Sequence, residues 1–355
     1  MRIHLLALPN CQTTRAYSLD GFAQATIRFA RMMKDLGHTV FLYASEENEA
    51  PCDELVTVIT KEEAETLLDF DNCQYQHAWI DQRSPIWQLA NPRMIREIAK
   101  RKQPRDFICH IGGDSQKPVT DAHPELMAVE YSIGYAGSYA PYRVFESRAW
   151  QHCTYGFQSI TDGRFWDTVI PLFFDPDDFT FRKEKEPFAL YVGRLEVRKG
   201  LSIACRAAEA AGMPLKIIGH TKNPRHGLVT NGAECLGPLD AVYRNDLMSR
   251  ASVVFCPTQY IEPFNAVAVE AQLCGTPVLA TDFGGFTETI EHGKSGFRCN
   301  YLGEFAQAVK DSLALDHEYI RRRAVEKYSL HNLKHDYPRY LDRLMLLWGK
   351  GWDTI

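Results

Sequence analysis

Six short apolar runs constrain the fold of this chain more than any other feature. They cover residues 3–8, 39–43, 107–113, 188–193, 215–219 and 252–256, and each ends in glycine or a polar loop. Runs of this length, rich in β-branched and aromatic residues, read as buried strands. After the first run, a polar loop over residues 10–21 leads into a helical pattern over 22–36. Gly37 and His38 end that helix before the next strand. Strand, loop, helix and strand joined by short turns make a βαβ unit, and repeats of it build a parallel sheet covered on both faces. The same alternation resumes at Phe188 and continues to about Leu315. A length of 355 residues fits two domains better than one. The expected class is α/β, with two Rossmann-like doubly wound domains.

Ligands of such sheets sit at the carboxyl ends of the strands, so the loops that follow strands are where chemistry is sought. The densest candidate is Thr258-Gln-Tyr-Ile-Glu-Pro-Phe-Asn-Ala-Val-Ala-Val-Glu270. It follows the strand over 252–256 and enters an apolar, Ala-rich segment, 264–274, long enough for a buried helix. Pro263 suits the first turn of that helix, where its missing N–H costs nothing. Glu262 and Glu270 have seven residues between them, just over two turns, so on a helix both carboxylates share a side. The N–H groups of Phe264, Asn265 and Ala266 would then head the helix and face an anion. A carboxylate, a set of amides and a second carboxylate suit a phosphate flanked by two hydroxyl-rich groups, as in a nucleotide-sugar. An ordinary capped helix with two surface glutamates is the plainer alternative.

A second candidate is Phe188-Ala-Leu-Tyr-Val-Gly-Arg-Leu-Glu-Val-Arg-Lys-Gly200. Its strand ends at Val192, Gly193 lets backbone approach a ligand, and Arg194 and Lys199 precede a helix over 201–211. A guanidinium binds phosphate in a forked way, and an ammonium acts as a point charge. Without a metal, two such cations are what a departing diphosphate needs.

These stretches, with Cys235-Leu-Gly-Pro-Leu-Asp240, the Gly284-Gly285 and Glu288 pattern after Thr276-Pro-Val, and the turn over 293–297, resemble the retaining GT-B glycosyltransferases of family 4, the group 1 type. The resemblance covers nearly all of 188–298. It implies a UDP- or GDP-sugar donor. Glu262 and the amides of Phe264, Asn265 and Ala266 would meet the sugar, and Glu270 the ribose. Gly193, Arg194 and Lys199 would hold the diphosphate, and Leu239 the base through its backbone. Gly21 would border the donor phosphate, and His110 would stand beside the reacting sugar. The implied catalytic set is His110, Arg194, Lys199 and Glu262, with retention at the anomeric carbon, no metal and no cofactor beyond the nucleotide-sugar cosubstrate. The implied layout is an acceptor-side domain over 1–172 and a nucleotide-sugar-binding domain over 180–335, facing each other across a cleft. A C-terminal helix over 336–355 would pack back on the first domain, and Tyr337, Tyr340, Leu341, Leu344 and Leu347 have the spacing for it. A UDP-sugar 2-epimerase of the same fold and a non-catalytic nucleotide-sugar-binding scaffold are the alternatives. The wording Tyr260-Ile-Glu-Pro-Phe-Asn, with Tyr142-Arg-Val-Phe-Glu146 upstream, looks like a phage-encoded subgroup.

The chain also departs from that family. Its glycine-rich first loop is reduced to Asp20-Gly21, with Arg15 and Tyr17 in the space. The Asn-Gly pair of the inter-domain crossing is Leu172-Phe173. Asp175-Pro176-Asp177 superficially matches the Asp-x-Asp metal motif of the GT-A fold, but its flanking prolines mark a linker.

The acceptor is less legible. Arg93, Arg96, Lys100, Arg101, Lys102 and Arg105 form a basic run that reads as a solvated helix face, or else as a surface for something anionic. A glycan, a lipid and a hydroxymethylated base in DNA are the acceptor classes considered, and a net charge of −5 weighs against nucleic acid. The tyrosine-rich run over 130–142 reads as a long loop that either binds or packs a domain wall. Residues 46–90 give few signals, and Arg321-Arg322-Arg323 reads as solvated. Ten cysteines without a Cys-x-x-Cys pair suggest free thiols in a reducing compartment. No apolar stretch reaches the roughly 18 residues of a transmembrane span, and the N-terminal run is too short for a signal peptide. A cytoplasmic protein is expected.

Overall fold

The computed structural model describes residues 1–16, 20–68, 70–71, 74–75, 83–219 and 232–347. It separates into two compact units. The first holds Met1–Glu146, Thr154–Pro171 and Lys334–Ile355, and the second Ser147–Cys153 and Leu172–Leu333.

The first unit is built on a seven-stranded sheet in the order β3-β2-β1-β6-β7-β8-β9. Its strands are β1 (Arg2–Leu6), β2 (Thr39–Ser45), β3 (Glu54–Ile59), β6 (Phe107–His110), β7 (Met127–Ile133), β8 (Tyr142–Phe145) and β9 (Thr168–Val169), with β4 (Phe70–Asp71) and β5 (Gln74–Tyr75) as a separate antiparallel pair. All neighbours in the large sheet run parallel. The helices are α1 (Gly21–Asp35), α2 (Lys61–Leu67), α3 (Pro85–Arg101), α4 (Lys117–Asp121) and α5 (Arg148–Phe157), whose first residues belong to the second unit, and α13 (Asp336–Met345) at the far end of the chain. Asp20 starts α1 by accepting from the amides of Phe22 at 2.8 Å and Ala23 at 2.9 Å, which satisfies two of the orphan donors of the first turn. Ala23, Ile27, Ala30 and Met33 then face the core at helical spacing. On α13, Tyr337, Tyr340, Leu341 and Leu344 are buried, and Tyr337 meets Phe29 of α1 edge-on at 5.1 Å between ring centres.

Two sequence expectations change here, and the solvated reading of the basic run holds, with Arg96, Lys100 and Arg105 exposed. Residues 46–90 contain β3, α2 and the start of α3. These were faint because β3 has Glu54, Leu55 and Thr57 exposed, and α2 is a short helix held by the reciprocal cap of Thr60 and Glu63. The basic run is matched by carboxylates. Arg93 forks onto Glu63 with two bonds of 2.7 Å, Arg101 reaches Glu54 at 2.6 Å and Glu97 at 2.7 Å, and Lys102 pairs with Glu125. The tyrosine-rich run is part strand: β7 extends to Ile133, and Glu130 inside it accepts from Tyr135 Oη at 3.0 Å and from the amides of Tyr139 and Ala140. Its tyrosines therefore pack the wall of the unit, with Tyr139 stacked on His110 at 5.1 Å.

The second unit has a six-stranded parallel sheet in the order β12-β11-β10-β13-β14-β15. These strands are β10 (Glu186–Val192), β11 (Leu215–Ile218), β12 (Glu234–Gly237), β13 (Ala251–Cys256), β14 (Val278–Thr281) and β15 (Gly296–Cys299). The helices between and after them are α6 (Leu201–Ala211), α7 (Ala241–Arg250), α8 (Ala266–Leu273), α9 (Phe286–Thr289), α10 (Leu302–Ser312), α11 (His317–Tyr328) and α12 (Leu330–Leu333). One core forms around α8, with Val254, Phe264, Val269, Leu273 and Ala324, and another around α6 and α10, with Tyr191, Ala204, Phe255 and Phe305. Helix α8 is buried because its sequence offers no polar face except Glu270 and Gln272. The arginines of 321–323 are not all solvated, contrary to expectation. Arg321 donates to the carbonyls of Pro176, Phe179 and Leu273, and Arg323 to Gln272 at 3.0 Å and Glu291 at 3.1 Å. Arg321 thus supplies a donor to the Leu273 carbonyl at the end of α8, where carbonyls lack helical partners, while Arg323, two residues on, serves Gln272, Glu291 and the Thr289 carbonyl.

Candidate functional site

In the second unit the order of the strands reverses between β10 and β13, which lie side by side. Loops leaving the carboxyl ends of two such strands diverge and open a crevice. They are residues 193–200 after β10 and 257–265 after β13, the two stretches singled out in the sequence. The amide of Gln259 donates to the carbonyl of Arg198 at 2.8 Å, and its side chain to the carbonyl of Val197 at 2.8 Å. Gly200, at φ +75°, lies so close to the Pro257 carbonyl that no side chain fits between them.

Glu262 is the centre of this crevice. It is 7% exposed. Its Oε2 accepts from Lys199 Nζ at 2.8 Å and from Asn265 Nδ2 at 3.3 Å, and its Oε1 from Tyr260 Oη at 3.1 Å. The Tyr260 ring carries Arg198 at 4.7 Å and Lys199 at 5.0 Å over its face. Burial alone would lower the pKa of Lys199, but Glu262 and Tyr260 outweigh it, and the ammonium is held above its ordinary value. Arg194 is about half exposed and lies 3.2 Å from Glu196, which also binds Arg198 at 3.0 Å. Burial would raise the Glu196 pKa, yet Arg198 and Arg194 keep it below the usual carboxylate value.

Helix α8 begins later than the sequence suggests. Its cap is Asn265, at φ +68°, whose side chain accepts from the amide of Ala268 at 3.0 Å. Pro263 therefore precedes the helix instead of opening it, and Glu262 lies on the loop. Only Glu270 is helical, so the two carboxylates are not brought together by helical periodicity. Both act on the buried Cys256 thiol, whose pKa burial raises and the two glutamates raise further. Ala266 and Val267 contribute the first-turn amides, while that of Ala268 is taken by the cap. Asn265 tolerates its left-handed backbone better than most side chains, and it gives the loop a second polar arm. Glu270 is 8% exposed, and among the described residues its carboxylate has no hydrogen bond or ion pair.

The remaining expected residues are dispersed. Gly193 donates its amide to Ile218 at 3.0 Å at the end of β10. Leu239 is partly buried between β12 and α7. Gly21 is the first residue of α1, behind the Asp20 cap, with open space where a Cβ would stand. His110 was expected to enter a ligand site, but it is wholly buried in the first unit with neither ring nitrogen hydrogen-bonded among the described residues. Burial pulls its pKa down to about 3, so it stays neutral and offers no surface to a sugar. Arg15 is exposed, with its amide bound to Glu49 at 2.6 Å, and Tyr17 lies outside the described residues. Asp175 accepts from the amide of Asp177 at 3.1 Å and so caps a turn. Among the described residues no group of three His, Cys, Asp or Glu side chains is placed to hold a metal ion.

Sequence reasoning missed Tyr260, Glu196 and Arg198. The bends at Gln259 and Tyr260 that bring the Tyr260 hydroxyl onto Glu262 leave no sequence periodicity from which the pairing could be read.

Two doubly wound units, the second with paired loops at a reversal of strand order, define a GT-B fold. Sucrose-phosphate synthase from Thermosynechococcus elongatus superposes with a TM-score of 0.73 at 18% identity, covering 97% of this chain and 99% of that one. The Anabaena protein HepE, solved in complex with UDP-glucose, gives 0.68 at 16% identity, over 97% and 100% of the two chains. Within that fold, residues 175–329, nearly all of the second unit, match the family described as Glycosyl transferases group 1. Glycogen synthase of Mycobacterium tuberculosis (strain CDC 1551 / Oshkosh) is 34% identical over 122 residues, 31% of this chain and 29% of that protein. The chain thus spans about three-tenths of the length of the curated relatives it matches.

Proposed function

We propose that this chain is a retaining glycosyltransferase of the family 4 type that moves a sugar from a UDP- or GDP-sugar to an acceptor hydroxyl without a metal. The observation that carries this reading is Glu270, a residue only 8% exposed on the helix after β13, whose carboxylate reaches solvent and has no hydrogen-bond or ion-pair partner among the described residues. Its oxygens are not among the buried atoms left without a partner, so water reaches them, and the two hydroxyls of a ribose would replace that water with charge-assisted hydrogen bonds. Lys199 and Arg194 would then meet the diphosphate, and Glu262 a sugar hydroxyl. As the anomeric C–O bond breaks, the electron pair stays on the diphosphate oxygen, where the two cations stabilise it.

HepE, with its UDP-glucose, supports a nucleotide-sugar for the same fold. A glycan or lipid hydroxyl is the favoured acceptor. Carboxylates pair with most of the basic run, which weakens one of the two grounds for DNA, the other being the phage-like wording. We infer a cytoplasmic site of action, in keeping with free cysteines among the described residues and no described helix long and apolar enough to cross a membrane.

The test is a thermal-shift and slow-hydrolysis screen across UDP-, GDP-, ADP- and dTDP-sugars without acceptor. Stabilisation by one nucleotide with slow release of its free sugar is the expected result. Release of an epimerised sugar with free UDP would favour the 2-epimerase, and tight binding without turnover the scaffold. No stabilisation by any donor would overturn the reading.

A further inference from the structure

The Lys199–Glu262 pair presents a conflict. Lys199 is the buried cation that a diphosphate would need, and it is already neutralised by a carboxylate 2.8 Å away. Both side chains are well enclosed, 16% and 9% exposed, so water screens the contact poorly. A bare nucleoside diphosphate reaching Lys199 would set its own negative charge beside Glu262. It would also draw the ammonium away and leave that carboxylate with only Tyr260 and Asn265 as donors. A donor that still carries its sugar brings hydroxyl groups, which can donate to the oxygen that Lys199 vacates.

We propose that the Lys199–Glu262 contact is exchangeable and makes the site select for sugar-bearing donors over the bare nucleoside diphosphate. On donor binding the diphosphate takes the ammonium, and a sugar hydroxyl takes its place on Glu262 Oε2. After transfer the hydroxyl is gone, Lys199 returns to Glu262, and the grip on the nucleoside diphosphate weakens. Tyr260 is the positioning residue of this exchange. Its hydroxyl stays on Oε1 at 3.1 Å and keeps the carboxylate in place while Oε2 changes partner. The ring below Lys199 gives the ammonium a second favourable contact along its way.

This inference rests on the donor reading above, and calorimetry with UDP, GDP, UDP-glucose and GDP-mannose separates the two. If the wild-type protein binds none of them, the donor reading falls and the exchange with it. If it binds one nucleotide, Glu262→Gln is expected to bind that bare diphosphate about 10-fold more tightly, the order of effect for one charge competing in a partly shielded site. The preference of the same variant for the sugar-bearing form should shrink or vanish. Unchanged or weaker diphosphate binding by Glu262→Gln would overturn the exchange and leave the donor site standing. Glu262→Ala, which cannot crowd the crevice, reads the same contrast should the Gln variant fold poorly. In a Lys199→Met background, Glu262→Gln should lose its tightening effect, because the cycle isolates the coupling of the pair. Tightening that persists there would mean general electrostatics and would also overturn the exchange.

Discussion

The amide of Gly285 donates to the carbonyl of Glu262 at 2.7 Å, so the turn after β14 fixes the loop that carries the buried carboxylate. A Cβ on Gly285 would stand 2.6 Å from the Pro263 carbonyl and 2.8 Å from the Phe264 Cα, and one on Gly284 would stand 2.8 Å from the Glu262 amide. The turn and the loop are packed backbone to backbone. This accounts for the paired glycines that the sequence shows as a motif.

Gly285→Ala should therefore push the Glu262 loop outward. The expected cost is about 1–3 kcal/mol of stability, the usual range for overpacking. Turnover should fall further than stability alone explains, because a displacement near 1 Å at a positioned group costs about 100-fold. Urea unfolding and donor hydrolysis measured side by side would test it, and a variant with normal hydrolysis would rule out the framing role.

Glu270→Ala should weaken binding of the preferred nucleoside diphosphate by about 10-fold or more, since a charge-assisted hydrogen bond contributes about 1.5–3 kcal/mol. The fold should not suffer, because the carboxylate serves no described partner. Calorimetry is the readout. Equal affinity for variant and wild type would refute the ribose assignment.

Arg194→Ala with Lys199→Ala should abolish transfer while the second unit stays folded. Arg194 is half exposed and among the described residues pairs only with Glu196 on its own loop, so its removal costs little stability. Lys199 is the more buried partner, and its loss leaves Glu262 short of one donor. Circular dichroism should show a native spectrum with turnover at background. Transfer near the wild-type rate would sink the diphosphate clamp.

The fold was legible because parallel strands buried on both faces leave continuous apolar runs, and β1, β2, β6, β10, β11 and β13 all announced themselves that way. Edge strand β3 did not, since half of its side chains face solvent. The site was legible where chemistry sits in contiguous sequence, as in Gly193 to Lys199 and Glu262 to Glu270. It was illegible where tertiary contacts set the roles. Asn265 looked like one more amide in a helix, but its positive φ makes it the cap and delays α8 past Pro263. His110 is at the carboxyl end of β6, the right place for a ligand residue, but Tyr139 closes over it, and nothing within residues 107–113 encodes that.

Burial raises the Glu130 pKa from its ordinary 4.5 to about 7, although the amides of Ala140 and Tyr139 and the hydroxyl of Tyr135 pull it back. A carboxyl whose pKa is higher in the folded state favours folding most when protonated. Its contribution is complete below about 4.5 and is lost as pH rises through about 7. A shift of this size corresponds to about 3 kcal/mol across the window. Carboxylates with depressed values, such as Glu63 and Glu97 at about 2, act in the opposite sense but only below 4.5, so they leave the window clear. Glu130→Gln should fold, because its amide oxygen can still accept from Tyr139 and Ala140 and its NH₂ can donate to Tyr135. Urea midpoints of the wild-type protein should fall between pH 5 and 8 relative to those of the variant. Parallel curves would mean that Glu130 does not titrate in this range and that its three donors hold it ionised throughout.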